Sequence, residues 1–134
     1  MTGPQALPYV LLMEDNPLDV FLLETAFELA DVQVDLQVAS DGVVGLAALE
    51  SARRAGHLPK VVVLDYNMPK LNGAEVLARL RQDERLTGLK VVMLTTSGAH
   101  EAQIRALHAD DYLIKPDGVS GAQAIALKLA AYWQ

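Results

Sequence analysis

The 134 residues contain no cysteine, which excludes a disulfide framework and a thiolate metal site. Aromatic residues are scarce, at 5% against 51% hydrophobic overall, so the core must be aliphatic. Positive charge is in deficit: 11 Lys and Arg face 17 Asp and Glu, for a net charge of -6 and a pI near 4.9. That balance disfavours nonspecific binding to nucleic acid or to an anionic membrane. No apolar run approaches the length of a membrane span. Residues 1 to 8 carry no Lys or Arg, and YVLLM is too short for a signal-peptide core. The expectation is a soluble, cytoplasmic protein with neither nucleic acid nor membrane as partner. Repeats and low-complexity segments are also missing. The length fits one domain over 1–134, with its core over about 9–133 and no effector domain appended.

What the sequence does have is alternation. YVLLM (9–13), VDLQVA (34–39), VVVLD (61–65), KVVML (90–94) and YLI (112–114) read as strands. VVVL and VVML are apolar without a two-residue period, as expected of central parallel strands covered on both faces. Helical spacing fills the gaps. Asn16-Pro17 offers a capping side chain followed by a proline at the first helical position, where its missing N–H costs nothing. Val20, Leu23 and Phe27 then mark one face; Val43, Leu46 and Leu49 mark a second helix, and Val76, Leu77 and Leu80 a third. Ile104 with Leu107 marks a short fourth, and Ala122, Ile125 and Leu129 a fifth, with Gly56, Gly88 and Gly118 punctuating the connections. Such alternation predicts an α/β fold, a flavodoxin-like (βα)5 doubly wound parallel sheet in strand order 2-1-3-4-5. In that order strands 1 and 3 are neighbours, and the crevice at their carboxyl ends is the ligand site.

The residues ending each strand then define a rim. Strand 1 ends in Glu14-Asp15, strand 3 in Asp65 with Asn67 beyond it, strand 4 in Thr95-Thr96-Ser97, and strand 5 in Lys115-Pro116. An aspartate closing the run VVVL is poorly solvated on one side, and burying its charge is costly without compensation. Three crowded carboxylates would also repel. A hard divalent cation such as Mg²⁺, bound by carboxylate oxygens and a backbone carbonyl, would supply the balance together with Lys115. The same parts suit phosphoryl transfer, in which an aspartate attacks as nucleophile while the cation holds one phosphoryl oxygen, Lys115 another, and the Thr95 hydroxyl or nearby backbone N–H groups a third.

LMED, LDYNMPKLNG, MLTTS and YLIKP, in that order, resemble the motifs of response-regulator receiver domains (CheY-like) of two-component signalling, from about Tyr9 to the C-terminus. The resemblance implies that Asp65 is the phosphoacceptor for a sensor histidine kinase. It implies that Asp15 and Asp65 bind Mg²⁺ directly with the Asn67 carbonyl, and that Glu14 acts mostly through water. Thr95 would contact the phosphoryl group, Lys115 would pair with one of its oxygens, and the Lys115–Pro116 bond would be cis. Tyr112 matches the aromatic switch position, turning inward as Thr95 is drawn to the phosphate. Such a protein is a phosphorelay component, not an enzyme, and catalyses only its own phosphoryl transfer and autodephosphorylation. EDNPLDVFLLETAF, LTTS, ALHADDYLIKP and the terminal YW are similar to stand-alone receivers paired with phytochrome-type histidine kinases. Output would pass through a phosphotransfer or effector protein, or through a homodimer formed by the helix 4, strand 5 and helix 5 face.

Plainer readings exist for single features. Glu14 or Asp15 alone could cap helix 1, but Asn16 already supplies a cap; Asp65 alone could open an Asx turn. Met68-Pro69 is turn geometry, and Thr96 and Ser97 read as the start of helix 4. Ser97 also sits, like Asn67, where a side chain could modulate dephosphorylation. His57, His100 and His108 show no ligand spacing, and Lys70 and Arg53-Arg54 look like solvated charges. Tyr132-Trp133 would pack the end of helix 5 onto the body or serve the dimer contact. Rival functions fit less well. An aspartyl phosphatase generally needs an acid where Asn67 stands, and the loop EDNPLD would repel a flavin phosphate. A pseudo-receiver, binding without phosphorylation, is the alternative that loses the chemistry, yet Glu14, Asp15, Asp65, Thr95 and Lys115 are all present.

Overall fold

The computed structural model describes residues 7–134. Five strands, β1 (Tyr9–Met13), β2 (Asp35–Ala39), β3 (Val61–Leu64), β4 (Val91–Thr95) and β5 (Asp111–Ile114), form one parallel sheet in the order β2-β1-β3-β4-β5. They alternate with helices α1 (Pro17–Leu29), α2 (Gly42–Arg54), α3 (Gly73–Gln82), α4 (Glu101–Ala106) and α5 (Val119–Ala130). This is the order expected from the alternation, and strand ends fall within about one residue of the sequence reading.

Alternate residues of each strand point to opposite faces, and both faces are covered. Leu11, Met13, Val62 and Leu64 pack against Leu49, Val76, Leu77, Leu80 and Ile104. Val10, Leu12, Val61 and Val63 pack against Leu23, Phe27, Ile125 and Leu129. With water excluded from both sides of β1, β3 and β4, these strands are apolar along their runs, hence the lack of a two-residue period. Each such Leu or Phe contributes roughly 1.5–3 kcal/mol by burial.

Helix starts follow local chemistry. The Asn16 side chain accepts from Leu18 N–H at 3.0 Å, with Pro17 in the first turn. At α3 a reciprocal capping box forms: Glu75 N–H donates to Asn72 Oδ1 (2.9 Å) and Asn72 N–H to Glu75 Oε1 (3.0 Å).

Several expectations are corrected. Val43, expected on the buried face of α2, is exposed, as is Val44; Gly42, Gly45 and Leu49 face inward. The cause is steric. Any Cβ at Gly45 would run into the Met13 thioether, and one at Gly42 would lie 2.9 Å from Leu71 Cβ, so the helix approaches on its glycines. Helix 4 begins at Glu101, leaving Thr96 and Ser97 in a loop where Ser97 Oγ accepts from Ala99 N–H. Lys70 and the Arg53-Arg54 pair are not merely solvated. Lys70 pairs with Asp41 at 3.3 Å, and both arginines hold Glu50. The Lys115–Pro116 bond, expected cis, is trans, like every peptide bond among the described residues. Trans is the intrinsically favoured isomer by about 0.5–1 kcal/mol, and from it the Lys115 ammonium reaches its carboxylate partners.

The terminal aromatics pack inward. Trp133 lies 6.3 Å from Phe27 between ring centroids, and Tyr132 joins it on the α1–α5 layer.

Candidate functional site

The sheet register builds the site. Met13 of β1 lies opposite Leu64 of β3, so Glu14 and Asp65 leave the sheet side by side at the point where the strand order reverses. Backbone bonds continue past the strands and fix both residues. Asp65 N–H donates to Met13 O at 3.0 Å, and Glu14 N–H to Ala39 O at 2.9 Å. Glu14, Asp15 and Asp65 each offer a carboxylate oxygen within 4.8 Å of the others. Glu14 and Asp65 are buried, at 3% and 5% exposure, while Asp15 and Asn67 are exposed.

Lys115 reaches this cluster from the end of β5. Its backbone N–H donates to Thr95 O at 2.7 Å. Its ammonium bonds Glu14 Oε1 and Asp19 Oδ2, the latter at 2.8 Å, and stands 3.4 Å from Asp65 Oδ1. Burial and the neighbouring Asp65 push the Glu14 carboxyl up to about 8, against the pull of Lys115. Burial disfavours the Lys115 ammonium, but its bonds to Asp19 and Glu14 outweigh that, and its proton is held above the ordinary lysine range. Glu14 Oε2 is buried with no hydrogen-bond partner among the described residues. An orphaned carboxylate oxygen beside two further carboxylates is what a hard cation or its bound water would satisfy. The donor set therefore fits the expected Mg²⁺. A cavity of about 20 Å³, room for about one water, lies among Glu14, Asp19, Asp65 and Lys115 with Leu12 and Ile125 on its apolar side.

Thr95 ends β4 at 2% exposure. Tyr112 lies on the neighbouring strand β5 with its ring inward, 6% exposed, and its hydroxyl donates to Ser97 O at 2.5 Å. Ser97 itself is exposed. Glu14, Asp15, Asp65 and Lys115 thus meet at one rim, Thr95 ends the neighbouring strand beside Lys115, and Asp15, Asn67 and Ser97 are exposed to solvent.

Three participants escaped the sequence reading. Asp19 is a partner of Lys115; its only signal was an acidic residue in the first turn of α1. Gly73 lets α3 approach closely, since a Cβ there would lie 2.6 Å from Asp65 O and 3.0 Å from Tyr66 Cα. Tyr66 stacks on His100 with centroids 3.8 Å apart and planes 1° from parallel, tying the residue after Asp65 to the start of α4. His100 shows no ligand pattern, so nothing in the sequence pointed to the stack.

Comparison with known proteins agrees with this geometry. The chain matches the Response regulator receiver domain family over residues 10–125. Response regulator RPA3017, from red-light signalling of R. palustris, superposes with a TM-score of 0.86 at 32% identity, covering 96% of this chain and 94% of that one. The phosphorylated cyanobacterial phytochrome response regulator RcpA gives a TM-score of 0.82 at 29% identity, covering 96% and 94%. Response regulator Rcp1 of Synechocystis is 29% identical over 128 residues, 92% of this chain and 87% of Rcp1. The Mn²⁺-bound form of Rcp1 superposes with a TM-score of 0.78 at 28% identity, covering 94% of each chain. Among the described residues no helix is long and apolar enough to cross a membrane. From its first strand to its fifth helix the chain carries one family's sequence pattern and fold, and it belongs to the response regulator receiver domains of two-component systems.

Proposed function

We propose that this receiver accepts a phosphoryl group from a sensor histidine kinase on Asp65. The observation that carries the reading is the setting of Asp65. It is a buried carboxylate with an ammonium 3.4 Å away and two further carboxylates close enough to share a cation. In the transfer, an Asp65 oxygen forms a bond to phosphorus as the phosphorus–nitrogen bond to the kinase histidine breaks. The bonding pair leaves with the imidazole nitrogen. Lys115 neutralises one phosphoryl oxygen and the Thr95 hydroxyl takes another. Glu14, Asp15, Asp65 and the Asn67 carbonyl would hold Mg²⁺, which when bound supplies positive charge against the phosphoryl oxygens.

Tyr112 connects this event to the surface. Its ring lies beside β4 and its hydroxyl holds the loop leading to α4, so a shift of Thr95 is felt by the α4, β5 and α5 face. Exposed Ile114, Val119 and Leu127 on β5 and α5 support a homodimer or effector contact there. Similarity to RPA3017 and RcpA supports a phytochrome-type kinase as donor and a cytoplasmic setting. Asn67 and Ser97 are assigned to tuning of dephosphorylation.

The test is intact mass after incubation with acetyl phosphate, for wild type and Asp65→Asn. One base-labile phosphoryl adduct is expected on wild type, dependent on Mg²⁺ and absent from the variant. Absence of any adduct, together with no response to beryllofluoride, would leave a phosphorylation-independent binding module.

A further inference from the structure

We propose that Asp19 is a positioning residue for phosphoryl transfer: it holds the Lys115 ammonium back from Asp65 and releases it to the incoming phosphoryl group. The proposal rests on the receiver reading above. Its basis is the unequal sharing of one ammonium among three carboxylates. Lys115 donates to Glu14 Oε1 and Asp19 Oδ2, whereas Asp65 Oδ1, at 3.4 Å, lies outside the roughly 2.7–2.9 Å of a charge-assisted bond. The nucleophile therefore keeps its lone pairs free of a strong donor. The ammonium has little access to water, its side chain being 10% exposed, so it can only change partners.

The two partners differ in what leaving costs. The Glu14 side chain is 2% exposed and that of Asp19 27%. A carboxylate that loses its cation is stabilised again only if water or another cation can reach it. Asp19 can be rehydrated where it stands, whereas buried Glu14 would need a cation in place of the ammonium, so Asp19 is the partner able to let go into water. Its position is fixed independently of the site, because the Asn16 cap and Pro17 set the first turn of α1.

Neutralising residue 19 should then act in opposite directions on the two ligands of the site. Asp19→Asn removes a competitor for Lys115, so beryllofluoride at saturating Mg²⁺ should bind several-fold tighter and the phosphoryl group on Asp65 should persist longer. The same change removes one negative charge from the cluster, so Mg²⁺ alone should bind several-fold more weakly. Asp19→Glu, which keeps the charge, should return both toward wild type.

Calorimetric titration of Mg²⁺ and of beryllofluoride, with decay of the phosphorylated mass, measures all three in the full chain. A purely structural role, as an acid at the start of α1, would lower the melting temperature and leave both affinities unchanged or weaken both. Either result overturns the proposal. If wild type itself fails to bind beryllofluoride with Mg²⁺, the receiver reading falls and this one with it. If wild type binds and Asp19→Asn does not separate the two ligands, only the role of Asp19 falls.

Discussion

The Tyr112 hydroxyl donates to the Ser97 carbonyl at 2.5 Å, tying an inward aromatic ring on β5 to the loop between β4 and α4. Burial raises the proton affinity of the phenol, so the hydroxyl remains a donor at every physiological pH. Tyr112→Phe keeps the ring's packing and removes only that bond, leaving Ser97 O to water. A loss of about 1 kcal/mol in urea unfolding is expected. Under the proposed switch, in which an inward ring at residue 112 accompanies Thr95 at the phosphoryl group, beryllofluoride affinity should also weaken. Equal unfolding midpoints for the two proteins would show that the bond contributes nothing.

Much of this is legible in the sequence, and the reason is geometric. In a doubly wound sheet the chain leaves every strand at the same edge, so residues distant in sequence but each following an apolar run must meet. Glu14, Asp65, Thr95 and Lys115 obey that rule. Asp19 does not, because it reaches the site from a helix, where an acidic first-turn residue has an ordinary explanation. The inward face of α2 was misread for a related reason. A hydrophobic pattern finds faces packed by side chains, and Gly42 and Gly45 pack by having none.

Among the described glycines, Gly73 is the one whose added Cβ would meet backbone most closely. Its N–H donates to Tyr66 O at 2.8 Å, and a Cβ would lie 2.6 Å from Asp65 O, which is backbone and cannot rotate away. Gly73→Ala should cost about 1–3 kcal/mol through overpacking and displace the Asp65–Tyr66 backbone. Reduced beryllofluoride affinity beyond the stability loss would separate that displacement from simple destabilisation. Unchanged stability and affinity would mean that α3 shifts freely.

Metal removal should invert the effect of a substitution at Asp65. Glu14 and Asp65 share a buried site, and the proximity of Asp65 helps push the Glu14 carboxyl up to about 8. In EDTA, Asp65→Asn relieves that repulsion and should unfold at a higher temperature than wild type. With Mg²⁺ at about 100 times its dissociation constant, wild type gains about 2.7 kcal/mol by mass action, and the variant gains far less. Thermal unfolding of both proteins in EDTA and in Mg²⁺ checks this. A variant less stable than wild type in EDTA would show that Lys115 already neutralises the pair.

Acid should reveal a second ion cluster far from the site. Glu50 on α2 accepts from Arg53 through both oxygens, at 2.7 and 3.0 Å, and from Arg54 at 3.1 Å. The Arg53 bonds foremost, with help from Arg54 and against partial burial, hold the Glu50 carboxyl down at about 2 rather than 4.5. A carboxyl depressed by folding binds fewer protons folded than unfolded, so its contribution is fully present above 4.5 and is lost as pH falls through about 2. Glu50→Gln should therefore destabilise by a constant amount between pH 7 and 5. Below 4.5 the gap to wild type should narrow, and it should nearly close by pH 2, with added salt shrinking it throughout. Urea midpoints for both proteins at pH 7, 5, 4 and 3 trace the curve. A gap that stays level down to pH 3 would assign the effect of Glu50 to packing on α2 instead of its charge.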